Sequence, residues 1–421
     1  MFGWEFPPHI AGGLGTACYG LTKGLAQNDV DVTFVMPKAS GDEDQSTIKI
    51  INASEVEIDP RFSAYFRHFH DVSYIQVNSQ LIPYVGLDDY FNVVNQIESG
   101  IFEHSSSNGK IKYQFSGKYG ESLMREVEHY AQIAAEIAQN EQFDIIHAHD
   151  WLTYKAGVAA KKVSGKPLVV HIHATEYDRS GENNINDIVY GLEKYGMSEA
   201  DKVCAVSDLT RKIVIEKYHI PAEKVVTLHN AVIPNDKTVS REKHVKEKIV
   251  TFLGRVTFQK GPDYFVETAR KVLEKDPNVR FVLAGDGDMM PHIIERVAEL
   301  HIADRFHFTG FLRGEDIDKM FGMSDVYVMP SISEPFGISP LEAMRANVPV
   351  VISKQSGVAE VLQHAIKVDF WDINATADAI YGLLHYPALS KLFVQKGKEE
   401  VDNLKWEYVA RKLKNIYQSL I

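Results

Sequence analysis

DVYVMPSISEPFGISPLE, residues 325–342, runs from a strand-like apolar segment through a turn at Pro335-Phe336-Gly337 into a helix start at Ser339-Pro340. Strand, turn and helix in immediate succession are the repeating unit of an α/β fold with a parallel sheet. Glu334 and Glu342 flank that helix start. A helix N-terminus exposes unpaired backbone N–H groups and about half a positive charge, so it favours an anion such as phosphate. The same letters also have a plain reading. Ser339-Pro340-Leu341-Glu342 has the form of a capping box, in which Glu342 would only satisfy backbone donors.

The neighbouring segments repeat the alternation. KIVTFLG (248–254), VRFVLAG (279–285), RFHFTG (305–310) and VPVVIS (348–353) read as strands, with helices over 262–275 and around 290–300. Between the first of these strands and its helix, LGRVTFQKG (253–261) places Arg255 and Lys260 five apart on a loop at the top of a sheet. There they suit a diphosphate, one by forked hydrogen bonds and the other as a point charge. Asp286-Gly287-Asp288 has a metal-binding D-x-D form, but beside Gly285 it reads as a strand-to-helix turn.

The first half alternates in the same way. DVDVTFVMP (29–37), FDIIHAHD (143–150), LVVHIHATEYD (168–178), KVCAVSD (202–208) and KVVTLHNAV (224–232) read as strands, with helices at about 16–27 and 121–138. A polar, charged run at 234–248 is the linker. The expected division is therefore 1–233, linker 234–248, 249–403, and a helix over 404–421 that crosses back to the first domain. Trp406, Tyr408, Val409 and Leu413 are its candidate packing positions.

With 421 residues the chain suits two domains. A hydrophobic content of 45% and a charged content of 24% carry no disorder signature, and a net charge of −12 argues against a nucleic-acid partner. No apolar run approaches the ~18 residues of a membrane span. Cys18 and Cys204 have no metal-binding spacing, and a cytoplasmic setting is expected. MFGW is short for a buried first strand: either that strand is unusually short or the native chain begins a few residues earlier.

In open α/β sheets ligands sit beyond the carboxyl ends of strands, which is where His147, His149, Asp150, His171 and His173 fall. Three H-x-H pairs, His68/His70, His147/His149 and His171/His173, raise zinc as an option, because alternate strand residues share a face. Hydrogen-bonded strand-end histidines are the commoner outcome, and the expectation is no metal. Gly12-Gly13-Leu14-Gly15 reads as a loop whose bare backbone a ligand can approach. It fails the dinucleotide fingerprint because Cys18 stands at the third glycine position.

Taken together and in order, WEFPPHIAGGLG (4–15), HAHDW (147–151), HIHATEYDR (171–179), GRVTFQKG (254–261) and EPFGISPLE (334–342) resemble the retaining glycosyltransferases of the B fold. Among these, the glycogen- and starch-synthase-like relatives of the family 4 and 5 type are the nearest in pattern. The resemblance spans essentially the whole chain and implies two doubly wound, Rossmann-like α/β domains facing a central cleft. It implies that Arg255 and Lys260 bind the donor diphosphate, Glu334 lies near the donor sugar and Glu342 contacts the ribose. Phe336, Gly337, Ile338 and Ser339 complete the donor loop. Asp150 and His173 hold the sugar and line the reaction centre, and Gly12, Gly13 and Gly15 belong to the segment closing over the diphosphate.

The implied reaction is metal-independent, uses no cofactor beyond the nucleotide-sugar co-substrate, and extends a glycan such as glycogen. Two positions depart from the pattern: Ile10 replaces a lysine typical of bacterial starch-synthase-type enzymes, leaving ADP- and UDP-glucose both open, and Gln355-Ser356-Gly357 replaces a more usual paired glycine. A same-fold enzyme acting on a lipid or surface polysaccharide, a catalytically silent sugar-binding protein and a phosphorylase are the rival readings. No lysine context suits the pyridoxal cofactor of the last.

Overall fold

The computed structural model describes residues 1–9, 12–58, 104–105, 111–117, 119–120, 122–181, 184–233 and 246–421. Ile10, His68, His70, most of the aromatic-rich region 61–119 and most of the linker therefore lie outside the described residues. By packing the chain divides into two units, one comprising residues 1–177, 182–229 and 406–421, the other residues 178–181 and 230–405.

In the first unit the strands Ile146–His149, Leu168–Ile172, Lys202–Ala205 and Val225–Thr227 pair in parallel in that order, and Thr33–Met36 pairs in parallel with Lys49–Asn52. Phe2 joins the two sets, forming parallel bridges to both Val35 and Ala148. The chain thus starts mid-sheet, builds outward on one side through 33–52 and returns to the other side at Ile146. The carboxyl ends of residues 1–3 and of Ile146–His149 flank the point where the order reverses, the usual place for a ligand.

The helix Leu123–Asn140 turns Val127, Tyr130, Ala134 and Ile137 inward at helical spacing. Tyr130 is anchored through its hydroxyl, which donates to the carbonyls of Gly3 (3.1 Å) and Val35 (2.6 Å). The C-terminal helix Trp406–Gln418 buries Trp406, Ala410, Leu413 and Tyr417 and packs against the helix Gly13–Ala26, with Tyr417 reaching His147 on the sheet. Tyr408, an expected packing residue, is exposed, and Val409 is half-buried, because the buried stripe runs through Ala410 and Tyr417 instead. The close approach depends on Gly24, where a β-carbon would stand 2.5 Å from the Trp406 carbonyl oxygen.

In the second unit six strands form one parallel sheet in the order Phe306–Gly310, Val279–Ala284, Lys248–Leu253, Val326–Met329, Val350–Ser353, Ile366–Val368. Val326–Met329 and Val350–Ser353 are buried throughout, as strands covered on both faces must be. The helix Pro262–Lys275 supplies Phe265, Val266, Ala269 and Val272 to the core. Chain order reverses between Lys248–Leu253 and Val326–Met329. The loops leaving those two strands are 254–261 and 330–338.

Candidate active site

Each unit assembles its candidate residues at its own switch point. In the second unit the loop 254–261 is held from two sides. Val256 N–H donates to the Asp286 carbonyl (2.9 Å) and Met289 N–H to the Val256 carbonyl (3.0 Å), so the Asp286-Gly287-Asp288 turn serves as a backbone clamp on the loop that carries half-buried Arg255. Asp286 Oδ1 accepts from Gly287 N–H rather than capping the helix Met290–Glu299. On the other side, Ile332 N–H donates to the Gln259 carbonyl (2.9 Å). Gly261, at φ +65°, comes so close to this second loop that a β-carbon would lie 2.3 Å from the Pro330 carbonyl oxygen.

This interlock sets Lys260 Nζ 2.6 Å from Glu334 Oε2. Glu334 is 6% exposed and also accepts from Ser331 Oγ at 3.1 Å. Its backbone is fixed as well: Glu334 N–H donates to the Gln355 carbonyl (3.0 Å) and Gly357 N–H to the Glu334 carbonyl (2.9 Å). The segment 355–357, which departs from the paired-glycine pattern, is therefore a short strand bridge holding the site loop. Ser331 and Ser356 are site-supporting residues that sequence reasoning missed; the unusual QSG was the one available signal.

The helix after this loop is Ser339–Arg345, with Ile338 as its cap and no side-chain capping bond. The capping-box reading is corrected: Ser339 already lies in the helix's first turn, with Pro340 behind it, so its hydroxyl cannot serve from the cap position. Phe336 is buried, while Gly337, Ile338 and Ser339 are half-buried. Glu342 stands on the first turn, and loss of hydration raises its pKa, with Arg345 acting in the opposite sense.

In the first unit, Gly13 and Gly15 are not in a loop. The helix begins at Gly13 rather than near Thr16, with Gly12 as its cap and no side-chain capping bond. The N–H of Gly15 donates to Glu5 Oε1 (3.1 Å), a buried carboxylate that sequence reasoning missed. Glu5 thereby places negative charge where the helix terminus favours it.

Asp150 caps the helix Trp151–Ser164 with φ +59°, a left-handed backbone unusual for a side-chain-bearing residue. Its Oδ1 accepts from His173 N–H (2.6 Å), and its own N–H donates to the His171 carbonyl (2.9 Å). Asp150 and His173 are thus one constellation. Strained backbone held by such bonds is a common feature of functional sites.

Behind His173 stand three more imidazoles. His147, His149 and His171 are buried on one face of the sheet, with ring centroids 4.4 Å apart for His147 and His149 and 4.5 Å for His171 and His173. Burial, reinforced by their neighbouring imidazoles, holds all three well below the usual histidine range. Loss of water brings His173 to about 3. All four are neutral near pH 7.

Two switch-point sites, one with an ammonium–carboxylate pair and one with an Asp–His clamp, define a nucleotide-sugar-dependent glycosyltransferase of the B fold once the relatives are considered. The chain belongs to the family described as the starch synthase catalytic domain, which matches residues 1–226; the family described as glycosyl transferases group 1 matches residues 235–400. It is 28% identical to an uncharacterized glycosyltransferase of Methanocaldococcus jannaschii, over 99% of this chain and 97% of that one. It is 22% identical to a glycogen synthase of Mycobacterium tuberculosis, over 99% and 93%. Among solved structures, a sucrose-phosphate synthase from Thermosynechococcus elongatus superposes with a TM-score of 0.68 at 19% identity, over 97% of this chain and 94% of that one. That last likeness supports the fold.

Proposed function

We propose that the chain moves a hexosyl group, glucose in the first instance, from a nucleotide-diphosphate sugar to an α-glucan with retention of configuration. The observation that carries this reading is the Lys260–Glu334 pair. When the bond from the sugar's anomeric carbon to the diphosphate oxygen breaks, the carbon gains positive charge and the oxygen negative charge. A carboxylate and an ammonium 2.6 Å apart offer one group to each end, held in place before the reaction begins. Arg255 adds a forked donor for the phosphate oxygens.

In this reading Glu334 orients the sugar and stabilises its positive charge, and Glu342 binds the ribose. Asp150 and His173 hold the sugar, and the segment Gly12 to Gly15 borders the diphosphate. Fixed cations offset the leaving group's charge, so donor activation uses no metal. The acceptor hydroxyl attacks from the face the diphosphate leaves, and its proton passes to a phosphate oxygen. The similarity to a glycogen synthase supports an α-glucan acceptor. Two buried free cysteines suit a reducing, cytoplasmic setting.

The test is release of nucleotide diphosphate from ADP- and UDP-sugars, with and without glycogen, alongside Lys260→Ala and Glu334→Ala. Turnover of a glucose nucleotide that rises with glycogen and falls about 10²–10³-fold in either variant is expected. Turnover indifferent to glycogen but dependent on a lipid or another saccharide would reassign the acceptor. Full turnover in both variants would remove the pair from the mechanism.

A further inference from the structure

The buried imidazoles behind His173 have no work in the transfer reaction as proposed, and their hydrogen bonding is incomplete. Among the described residues, His147 Nε2, His149 Nε2 and both ring nitrogens of His171 are buried without a hydrogen-bond partner. A buried polar atom left unpartnered is disfavoured, and one such nitrogen on each of three neighbouring rings asks for a common explanation. One ring nitrogen from each of His147, His149 and His171 lies within 4.8 Å of the other two.

We propose that His147, His149 and His171 bind a divalent transition-metal ion, zinc in the first instance, as a structural site in the first unit. The partnered nitrogens fit this assignment. His147 Nδ1 is hydrogen-bonded to the Tyr417 hydroxyl, and His149 Nδ1 lies 3.0 Å from His173 Nε2. When Nδ1 of each carries the proton and donates it outward, the Nε2 lone pair is left for the ion. Metal-binding histidines are usually held by such an outer hydrogen bond.

A tetrahedral ion at 2.0–2.1 Å from each nitrogen needs nitrogen separations of about 3.4 Å and lone pairs that converge, so the stacked rings, with planes 10° apart for His147 and His149 and 27° apart for His149 and His171, must turn towards one another as they close on it. The arrangement has a consequence for the reaction centre. With the ion on His149 Nε2, His149 Nδ1–H must donate to His173 Nε2, so the remaining proton of neutral His173 is on Nδ1. The ion selects the tautomer of a residue assigned to the sugar.

Chelator-stripped full chain dialysed against micromolar zinc sulfate alone, then measured by plasma emission, should take up one equivalent. Cobalt in its place should give the absorption of a tetrahedral site. Tyr417→Phe should weaken zinc affinity about 10–100-fold, and His171→Gln should abolish stoichiometric uptake, with circular dichroism establishing that each variant is folded. In nitrogen-15 spectra zinc should shift the His149 Nε2 resonance and leave His173 protonated on Nδ1. Uptake well under one equivalent by folded wild type would overturn the proposal. Undiminished uptake by folded His171→Gln would do the same, by placing the ion elsewhere; if that variant does not fold, the wild-type stoichiometry and nitrogen spectra decide.

Discussion

Glu342 stands on the first turn of a short helix, and its raised pKa has a consequence for stability. In the unfolded chain a glutamate ionises near 4.5. As pH rises past that value the unfolded state sheds a proton that the folded state keeps, so stability falls with rising pH until the folded-state pKa is passed, and is flat above it. Glu342→Gln removes this penalty. It should be more stable than the parent at about pH 7 and equal to it below about pH 4, as chemical denaturation at the two pH values would show. If the carboxylate binds the ribose as proposed, the donor KM should rise about ten- to hundredfold, the range of a lost charged hydrogen bond. A loss of stability near pH 7 would instead show that the carboxylate is held by favourable contacts.

The pairing of Glu334 with Lys260 shows what reading residue by residue can and cannot reach. Both were singled out by motif, but their sequence separation hides that they form an ion pair. Only the two loops, locked through Gln259, Ile332, Gly261 and Pro330, bring them together. Glu5 and Ser331 carried no spacing signal at all, because their partners are backbone and side-chain groups supplied by the fold.

At the scale of elements, the contact between the helices Gly13–Ala26 and Trp406–Gln418 is set by the absence of a side chain at Gly24. The clash that a β-carbon would make is with backbone, which cannot rotate away. Gly24→Ala is therefore expected to destabilise the first unit by about 1–3 kcal/mol, the usual cost of overpacking, measurable by urea unfolding. A neutral result would mean that the C-terminal helix can slide on its neighbour at little cost. This packing helix was legible in sequence as an apolar repeat, yet its phase was misread at Tyr408 and Val409. Periodicity shows that a face exists, whereas the partner surface decides which of two adjacent stripes is buried. The start of the helix Gly13–Ala26 was hidden for a related reason: glycine has low helix propensity, and the bond from Gly15 N–H to Glu5 outweighs it.

Across the whole molecule, Cys18 and Cys204 report on packing. Both are fully buried; burial pushes the Cys204 thiol up to about 12, and burial with the nearby Glu5 and Asp150 carboxylates raises Cys18. Since the thiolate is the reactive form, neither should react with an aromatic disulfide reagent in the native protein at neutral pH, and both should react in guanidinium. Labelling of one thiol under native conditions would reveal local opening around its element.

What the amino-acid sequence determined by itself was the parallel α/β architecture and the strand-end and loop positions of the candidate residues, because strand, turn and helix signals are local and recur with fixed periods. The tertiary structure alone decided which of those residues meet. The Lys260–Glu334 pair, the Asp150–His173 clamp and the buried imidazole face all join groups remote in sequence across neighbouring strands or loops. Such contacts follow from strand order and loop interlock, which hydrophobic periodicity does not encode.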